Sequence, residues 1–187
     1  MSYPRRKSPR LPSYDYRTQN YYFVTVCTAN KALLFGGPIP LNKFGMIAQN
    51  AFLQMELHNP HMQVIKSVVM PNHVHALLSL EEETTALPDV IGAYKSHVTK
   101  MIHEITPGIS VWQRSFHDHV IRNQREFEKI WNYIDTNPVR WTDDCFFRMI
   151  TGNVRRTSTN VGAGLSPSRR RTIDPYNVTS KRYQLPI

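Results

Sequence analysis

Two histidines one residue apart, His73 and His75, open an alternating apolar run directly after a Met-Pro-Asn segment. Side chains in a β-strand alternate between two faces, so both imidazoles would point to one side and could approach a single metal ion. The spacing is a weak signal by itself, because two surface histidines or two hydrogen-bonded rings would give the same pattern. The pair is therefore one half of a candidate site.

A second group of polar residues follows in the stretch IWNYIDTNPVRW. On an α-helix, Tyr133 and Asn137 lie one turn apart, at the edge of an apolar stripe. A phenol there could reach a cleft while its helix stays packed, although a boundary tyrosine more often packs its ring and hydrates its hydroxyl. Next to a divalent ion that polarises phosphate, such a phenol could attack a phosphodiester and form an aryl phosphate that can be rejoined.

The pattern along the chain predicts the elements that would position these residues. Strands are predicted over 21–28, 63–69, His73–Leu80 and 111–122, and helices over 46–59, 90–105 and about 124–137. This β-α-β-β-α-β order followed by a helix is typical of a ferredoxin-like α+β fold, with an antiparallel sheet and both crossover helices on one face. Since Val74, Ala76, Leu78 and Leu80 would face that core, we expect both histidines on the other, open face.

Two stretches resemble a known family. MPNHVHALL is similar to the His-hydrophobic-His motif of the HUH single-strand nucleases. YIDTNPVRW resembles the catalytic-tyrosine helix of insertion-sequence single-tyrosine transposases, in particular the REP-associated tyrosine transposases. RLPSYDY, YYFVTVCT, FGG and VWQRSFHDHVIRN are similar to further stretches of that group, in the same order. The resemblance covers roughly residues 5–145, and the tail beyond about 150 has no such match.

The resemblance implies a ferredoxin-like fold with a C-terminal catalytic helix, and metal-dependent cutting and rejoining of single-stranded DNA through a 5′-phosphotyrosine. The expected targets are hairpin-forming repeats. His73 and His75 would be metal ligands, Tyr133 the nucleophile and Asn137 a third ligand, where the wider superfamily often has glutamine. Mg²⁺ or Mn²⁺ is the expected cofactor, and the nitrogen ligands favour Mn²⁺ on softness.

The formal net charge of +9 is concentrated at the two ends of the chain. Residues 1–10 contain four basic residues and no acid, and residues 153–187 contain seven basic residues and one acid. We therefore predict a basic N-terminal arm over 1–18, a domain over 19–152, and a basic C-terminal tail over 153–187. Such ends commonly bind polyanions, and a merely solubilising tail is the alternative.

Single-stranded or hairpin DNA is accordingly the expected partner. The candidate phosphate contacts are Lys95, Arg114, Arg122 and Arg140, together with Arg5 and Arg6 of the N-terminal arm. Trp112, Trp141 and His117 could stack on bases or belong to the core, and we place Trp131 in the core. His119, Asp118 and Glu126 are the nearby candidates for a general base.

Other classes of function fit less well. A histidine-triad nucleotide hydrolase would need a third histidine where this chain has Leu77. A catalytically silent protein that binds DNA hairpins is the remaining alternative. No run approaches the roughly 18 apolar residues of a membrane helix, and the two cysteines form no CxxC pair, which predicts a soluble cytoplasmic protein. A homodimer and a monomer are both compatible with the sequence.

Overall fold

A computed structural model describes residues 14–81 and 85–147. The elements are β1 (Asn20–Cys27), α1 (Lys43–His58), β2 (Met62–Met70), β3 (His73–Leu80), α2 (Leu87–His103), β4 (His117–Ile121) and α3 (Gln124–Thr136), with 3₁₀ turns at Ala29–Lys31 and Trp141–Asp143. The predicted order is confirmed. The fourth strand is shorter than predicted: residues 111–116 form a loop, which pairs with the chain just after β1 through an isolated bridge between Thr28 and Trp112.

The four strands form one antiparallel sheet in the order β2-β3-β1-β4, which confirms the ferredoxin-like α+β fold. A two-residue turn, Pro71 and Asn72, joins β2 to β3 and sets Met70 opposite His73. Cys27 at the end of β1 also pairs with His73. We call this end of the sheet, where β1 and β2 end and β3 begins, the site edge.

The first face of the sheet packs against α1 and α2. Val74, Ala76, Leu78 and Leu80 all belong to this buried cluster, as their alternation predicts. The helices contribute apolar residues at helical spacing, including Ala48, Ala51, Phe52 and Met55 from α1 and Ile91, Tyr94, Val98 and Ile102 from α2. The main core therefore lies on the side of the sheet away from the histidines.

The second face is not open, and that expectation was wrong. Phe127 and Ile134 of α3 are buried with Leu77 and Ile121 in a second apolar cluster. An amphipathic helix needs an apolar surface for its stripe, and this side of the sheet supplies one. The histidines consequently lie at the margin of a covered face rather than on a solvent-exposed one.

Residues 14–18, which precede β1, pack against the first core cluster. Tyr16 is buried in the first cluster, Tyr14 packs against it, and the Tyr22 hydroxyl donates to the Thr18 carbonyl. The domain limits proposed from charge remain a prediction, and Arg5, Arg6 and the C-terminal tail lie outside the described residues. Within the described residues, no helix has the length and apolar character that a membrane span requires.

Two helical glycines give a matched test of how closely α1 packs. A Cβ at Gly45 would come within 2.6 Å of the Phe35 carbonyl oxygen, whereas a Cβ at Gly92 of α2 would meet nothing within 4 Å. We expect Gly45→Ala to lower the free energy of unfolding by about 1–3 kcal/mol. Gly92→Ala should raise it by roughly 0.5–1 kcal/mol, because alanine favours the helix. Urea unfolding of both variants measures the difference, and equal effects would contradict this packing.

Candidate metal and tyrosine site

The start of β3 and the last turns of α3 bring three predicted residues together. The Nε2 atoms of His73 and His75 lie 3.0 Å apart on the second face of the sheet. The Tyr133 hydroxyl lies 3.2 Å from His75 Nε2. All three residues belong to one chain, so this arrangement needs no residue from a second copy.

Neighbouring side chains fix the orientation of both imidazoles. His73 Nδ1 lies 2.8 Å from Asn72 Oδ1, and because a carboxamide oxygen only accepts, Nδ1 donates and Nε2 keeps its lone pair. His75 Nδ1 lies 2.8 Å from Thr25 Oγ1 on the adjacent strand. Phe23 also stacks on the His75 ring at a centroid distance of 5.1 Å. The Met-Pro-Asn turn thus supplies the group that orients the first histidine.

Burial keeps both histidines uncharged. His73 is 0% exposed and His75 is 1% exposed. Burial lowers the pKa of His73 to about 3, with a smaller lowering from the positive charge of Lys31. Burial, and then repulsion from His73 when that ring is protonated, also lower the pKa of His75 well below its usual value. Neutral imidazole is the form that binds metal ions, so both rings are in a ligating state near pH 7.

Asp144 is the main residue of this site that sequence reasoning missed. Its Oδ2 atom lies 3.4 Å from the Tyr133 hydroxyl and 3.2 Å from Asn137 Nδ2. The same oxygen is 4.0 Å from His73 Nε2. A buried carboxylate therefore stands between the phenol, the carboxamide and the histidine pair.

The 3₁₀ turn after α3 delivers this carboxylate. Asp144 Oδ1 accepts from the Phe146 amide at 2.7 Å, which fixes the side chain in the turn that follows Trp141–Asp143. The neighbouring Asp143 is exposed, whereas Asp144 is buried. The ligand atoms of His73, His75 and Asp144 all lie within 4.8 Å of one another, so this group could hold a metal ion.

The side-chain oxygen of Asn137 is available as a ligand. The residue is buried, its Nδ2 donates to Asp144, and its Oδ1 has no hydrogen-bond partner among the described residues. The two histidine nitrogens lie 3.0 Å apart and Asp144 Oδ2 lies 4.0 Å from His73 Nε2, so these atoms are close enough to bind one ion together. Two imidazole nitrogens with carboxylate and carboxamide oxygens are a donor set that fits a divalent cation.

Tyr133 is the exposed member of the group. Its side chain remains 39% accessible, while its ring packs at 6.0 Å from Phe23 and 5.2 Å from His75. Burial of the hydroxyl, and then the negative charge of Asp144, raise the pKa of Tyr133 to about 12. The hydroxyl is thus a neutral phenol on a partly exposed residue, and its proton needs an acceptor before it can act as a nucleophile.

The described candidates for DNA contact, base stacking and general-base catalysis lie outside this group of ligand atoms. Lys95 donates from Nζ to the carbonyls of Gln113 and Arg114, at 2.6 and 3.1 Å. Arg114, Arg122 and Arg140 are exposed, Trp112 packs against the first core cluster, and Trp131 and Trp141 pack against the second. His119 and Glu126, two general-base candidates, pair with each other at 3.6 Å.

Lys31 is a second residue that the sequence did not indicate. It lies in the 3₁₀ turn after β1, where Asn30 and Lys31 adopt the positive φ angles 53° and 55°. Its ammonium is 5.0 Å from the centre of the Phe146 ring, which packs 4.4 Å from the His73 ring. A positive charge is therefore held one aromatic ring away from the histidine pair.

A ferredoxin-like sheet with a histidine pair facing a tyrosine on a helix is the arrangement expected of a single-tyrosine transposase. Comparison with known proteins agrees with this class. The family described as "Transposase IS200 like" matches residues 17–137. The chain belongs to this family of transposases.

Individual relatives are more distant. An uncharacterised protein of Haemophilus influenzae is 29% identical over 164 residues, covering 74% of this chain and 91% of that protein. A second H. influenzae protein, named "Putative REP-associated tyrosine transposase", is 23% identical over 136 residues, covering 67% of this chain and 74% of its own length.

The fold also matches a solved structure. A REP-associated tyrosine transposase bound to a REP hairpin superposes with a TM-score of 0.53 and 18% identity, covering 87% of this chain and 99% of that one. At this level of identity the likeness concerns the fold alone.

Proposed function

We propose that this protein is a metal-dependent endonuclease and transposase that cuts and rejoins single-stranded DNA through a covalent 5′-phosphotyrosine. The observation that carries the proposal is the 3.2 Å approach of the Tyr133 hydroxyl to His75 Nε2, beside the buried ligand group of His73, His75 and Asp144. The chemistry follows from the donor set, since a phenol beside a cation site is suited to attack on phosphate.

The covalent step balances with residues of this chain. The Tyr133 oxygen attacks the scissile phosphorus, the new O–P bond forms, and the bond from phosphorus to the 3′-oxygen breaks. The phenolic proton passes to Asp144 Oδ2, which is 3.4 Å away, and the leaving 3′-oxygen takes a proton from solvent. Reversal of the same step by a free 3′-hydroxyl rejoins the strand and releases the tyrosine.

The site would hold Mg²⁺ or Mn²⁺ on His73, His75 and Asn137, with the carboxylate of Asp144 beside it as the proton acceptor. When bound, the cation supplies positive charge to the phosphate oxygens. The protein contributes rigidity, since Asn72 and Thr25 hold the two rings by their Nδ1 atoms.

The substrate that we propose is single-stranded DNA next to a hairpin. The solved transposase of the same fold is bound to a REP hairpin. One of the two H. influenzae relatives is named a putative REP-associated tyrosine transposase. Arg122 and Arg140 are exposed and can contact phosphates, and Arg5 and Arg6 add positive charge in the N-terminal sequence. Oligomeric state and cellular location stay predictions.

A labelled hairpin with single-stranded flanks and Mn²⁺ tests the function. Cleavage should attach a 3′-labelled fragment to the protein in a form that survives denaturing electrophoresis, while a 5′-labelled substrate should release a shorter free strand. The alternative, a silent hairpin-binding protein, would bind the same DNA tightly and give neither product.

Asp144 and Asp143 form a matched pair for mutation. Because only Asp144 contacts the phenol and lies near the histidines, we expect Asp144→Asn to slow single-turnover cleavage by about 10²-fold and to weaken Mn²⁺ binding in calorimetry. Asp143→Asn, a change in an exposed carboxylate, should leave both values at the wild-type level. Equal effects of the two substitutions would remove Asp144 from the site.

A further inference from the structure

A groove of about 610 Å³ lies between α2 and the segment 109–114. Lys95, Lys100 and His103 line it from the helix, and Trp112, Gln113 and Arg114 line it from the segment. None of the described residues that line this groove is acidic. Its surface is therefore positively charged and suited to anions.

The wall of the groove is fixed to α2 by hydrogen bonds. The ammonium of Lys95 donates to the carbonyls of Gln113 and Arg114, and the Trp112 indole donates to the Lys95 carbonyl at 3.1 Å. His103 Nε2 donates to the Ile109 carbonyl at 2.8 Å. Because Lys95 is used in this way, Lys100 and Arg114 are the cations that the groove presents to solvent.

The same segment continues to the catalytic end of the sheet. Gln113 donates its amide hydrogen to the Cys27 carbonyl, and Ala29 donates to the Val111 carbonyl, both at 2.9 Å. Cys27 is the residue that pairs with His73. One wall of the groove is therefore hydrogen-bonded to the chain at the site edge, while the groove itself lies on the first face of the sheet, against α2.

We propose that this groove binds the phosphodiester backbone of the DNA strand that flanks the cut. Lys100 and Arg114 neutralise phosphates, and the hydroxyls of Ser96, Thr99 and Ser110 along the groove offer donors to phosphate oxygens. The inference rests on the proposed function for the identity of the strand, because a DNA strand cut at Tyr133 can pass around the site edge, where segment 109–114 is hydrogen-bonded to Cys27 and Ala29, and reach the groove.

Equilibrium binding at several salt concentrations tests the groove. The probes are a fluorescent DNA hairpin with a single-stranded flank and the same hairpin without it. Each of Lys100→Ala and Arg114→Ala should reduce the salt slope for the flanked hairpin by about 0.7, the value for one single-strand phosphate contact. Their affinity for the flanked hairpin at low salt should fall several-fold, and their affinity for the bare hairpin should not change.

Arg17→Ala is the matched control. Arg17 is exposed and precedes β1, at the opposite end of the strand from the site edge, so its loss removes one charge without touching the groove. An unchanged slope in both groove variants, or an equal loss for Arg17→Ala, would overturn the proposal. Thermal unfolding of each variant shows that the fold is retained.

The adduct assay separates this proposal from the nuclease assignment. If wild-type protein forms the adduct while the groove variants keep the wild-type slope, the groove is refuted and the nuclease stands. If no adduct forms but the slopes fall as expected, the nuclease is refuted and the groove is supported as a DNA-binding surface.

Discussion

Tyr133→Phe is expected to lower the yield of covalent protein–DNA adduct by at least about 10³-fold, because it removes the only atom that can bond to phosphorus at this position. The ring contacts with Phe23 and His75 do not involve the hydroxyl, so the helix should stay packed. Affinity for hairpin DNA should therefore remain within about two-fold of wild type, since phosphate contacts elsewhere dominate binding.

The measurement is denaturing electrophoresis of a 3′-labelled hairpin after reaction with Mn²⁺, beside a binding curve for the same DNA. Tyr21→Phe is the control, because Tyr21 packs its ring on Phe127 at 5.2 Å on the same face of the sheet. That variant should form adduct normally. Adduct at the wild-type rate in Tyr133→Phe would show that another residue is the nucleophile.

The strands near the site could be predicted from period-two alternation. Val74, Ala76, Leu78 and Leu80 share a face with the buried residues Val24 and Val26 of the neighbouring strand, and both patterns are visible in the sequence. Alternation then places His73 and His75 together on the other face, as the structure has them. Local pattern is sufficient here because strand geometry alone decides the direction of each side chain.

The cover over the second face was missed, although the sequence carries a signal for it. The stripe of Phe127, Ile130, Trp131 and Ile134 in α3 has to be buried, and the first face is already filled by α1 and α2. Only the second face of the sheet remains, where Leu77 and Ile121 are apolar. The sequence predicts three helices, and a sheet has two faces. Because two helices fill the first face, the third has to cover the second, which would have predicted buried histidines rather than exposed ones.

Asp144 could not be predicted in the same way. It follows Asp143 in the stretch WTDDCFF, where neither helical nor strand periodicity distinguishes a buried residue from an exposed one. Its direction depends on the 3₁₀ turn Trp141–Asp143 and on the bond from the Phe146 amide to its side chain. Both features are local, but Asp144 joins the site only through its contacts with Tyr133 and Asn137 of α3, which the sequence pattern does not show.

His73→Ala is expected to abolish the stabilisation of the protein by Mn²⁺ and to slow cleavage by at least about 10²-fold, because the ion loses one of its two nitrogen ligands. For the wild-type protein, an ion present at about 100 times its Kd stabilises the folded state by about 2.7 kcal/mol, which raises Tm by roughly 5–15 °C in a domain of this size. DNA affinity should be largely kept, since the ring is fully buried and cannot contact the strand directly.

Loss of a buried ring also destabilises the apo protein, by about 1–3 kcal/mol, so Tm alone does not test the metal site. The informative quantity is the change in Tm on adding Mn²⁺, measured for each variant against its own metal-free form. His97→Ala removes an exposed histidine of α2 and should keep the full wild-type response. A His73→Ala protein that still gains the wild-type stabilisation from Mn²⁺ would show that the ion binds elsewhere, and the histidine pair would then be a purely structural contact between β3 and the segment that covers it.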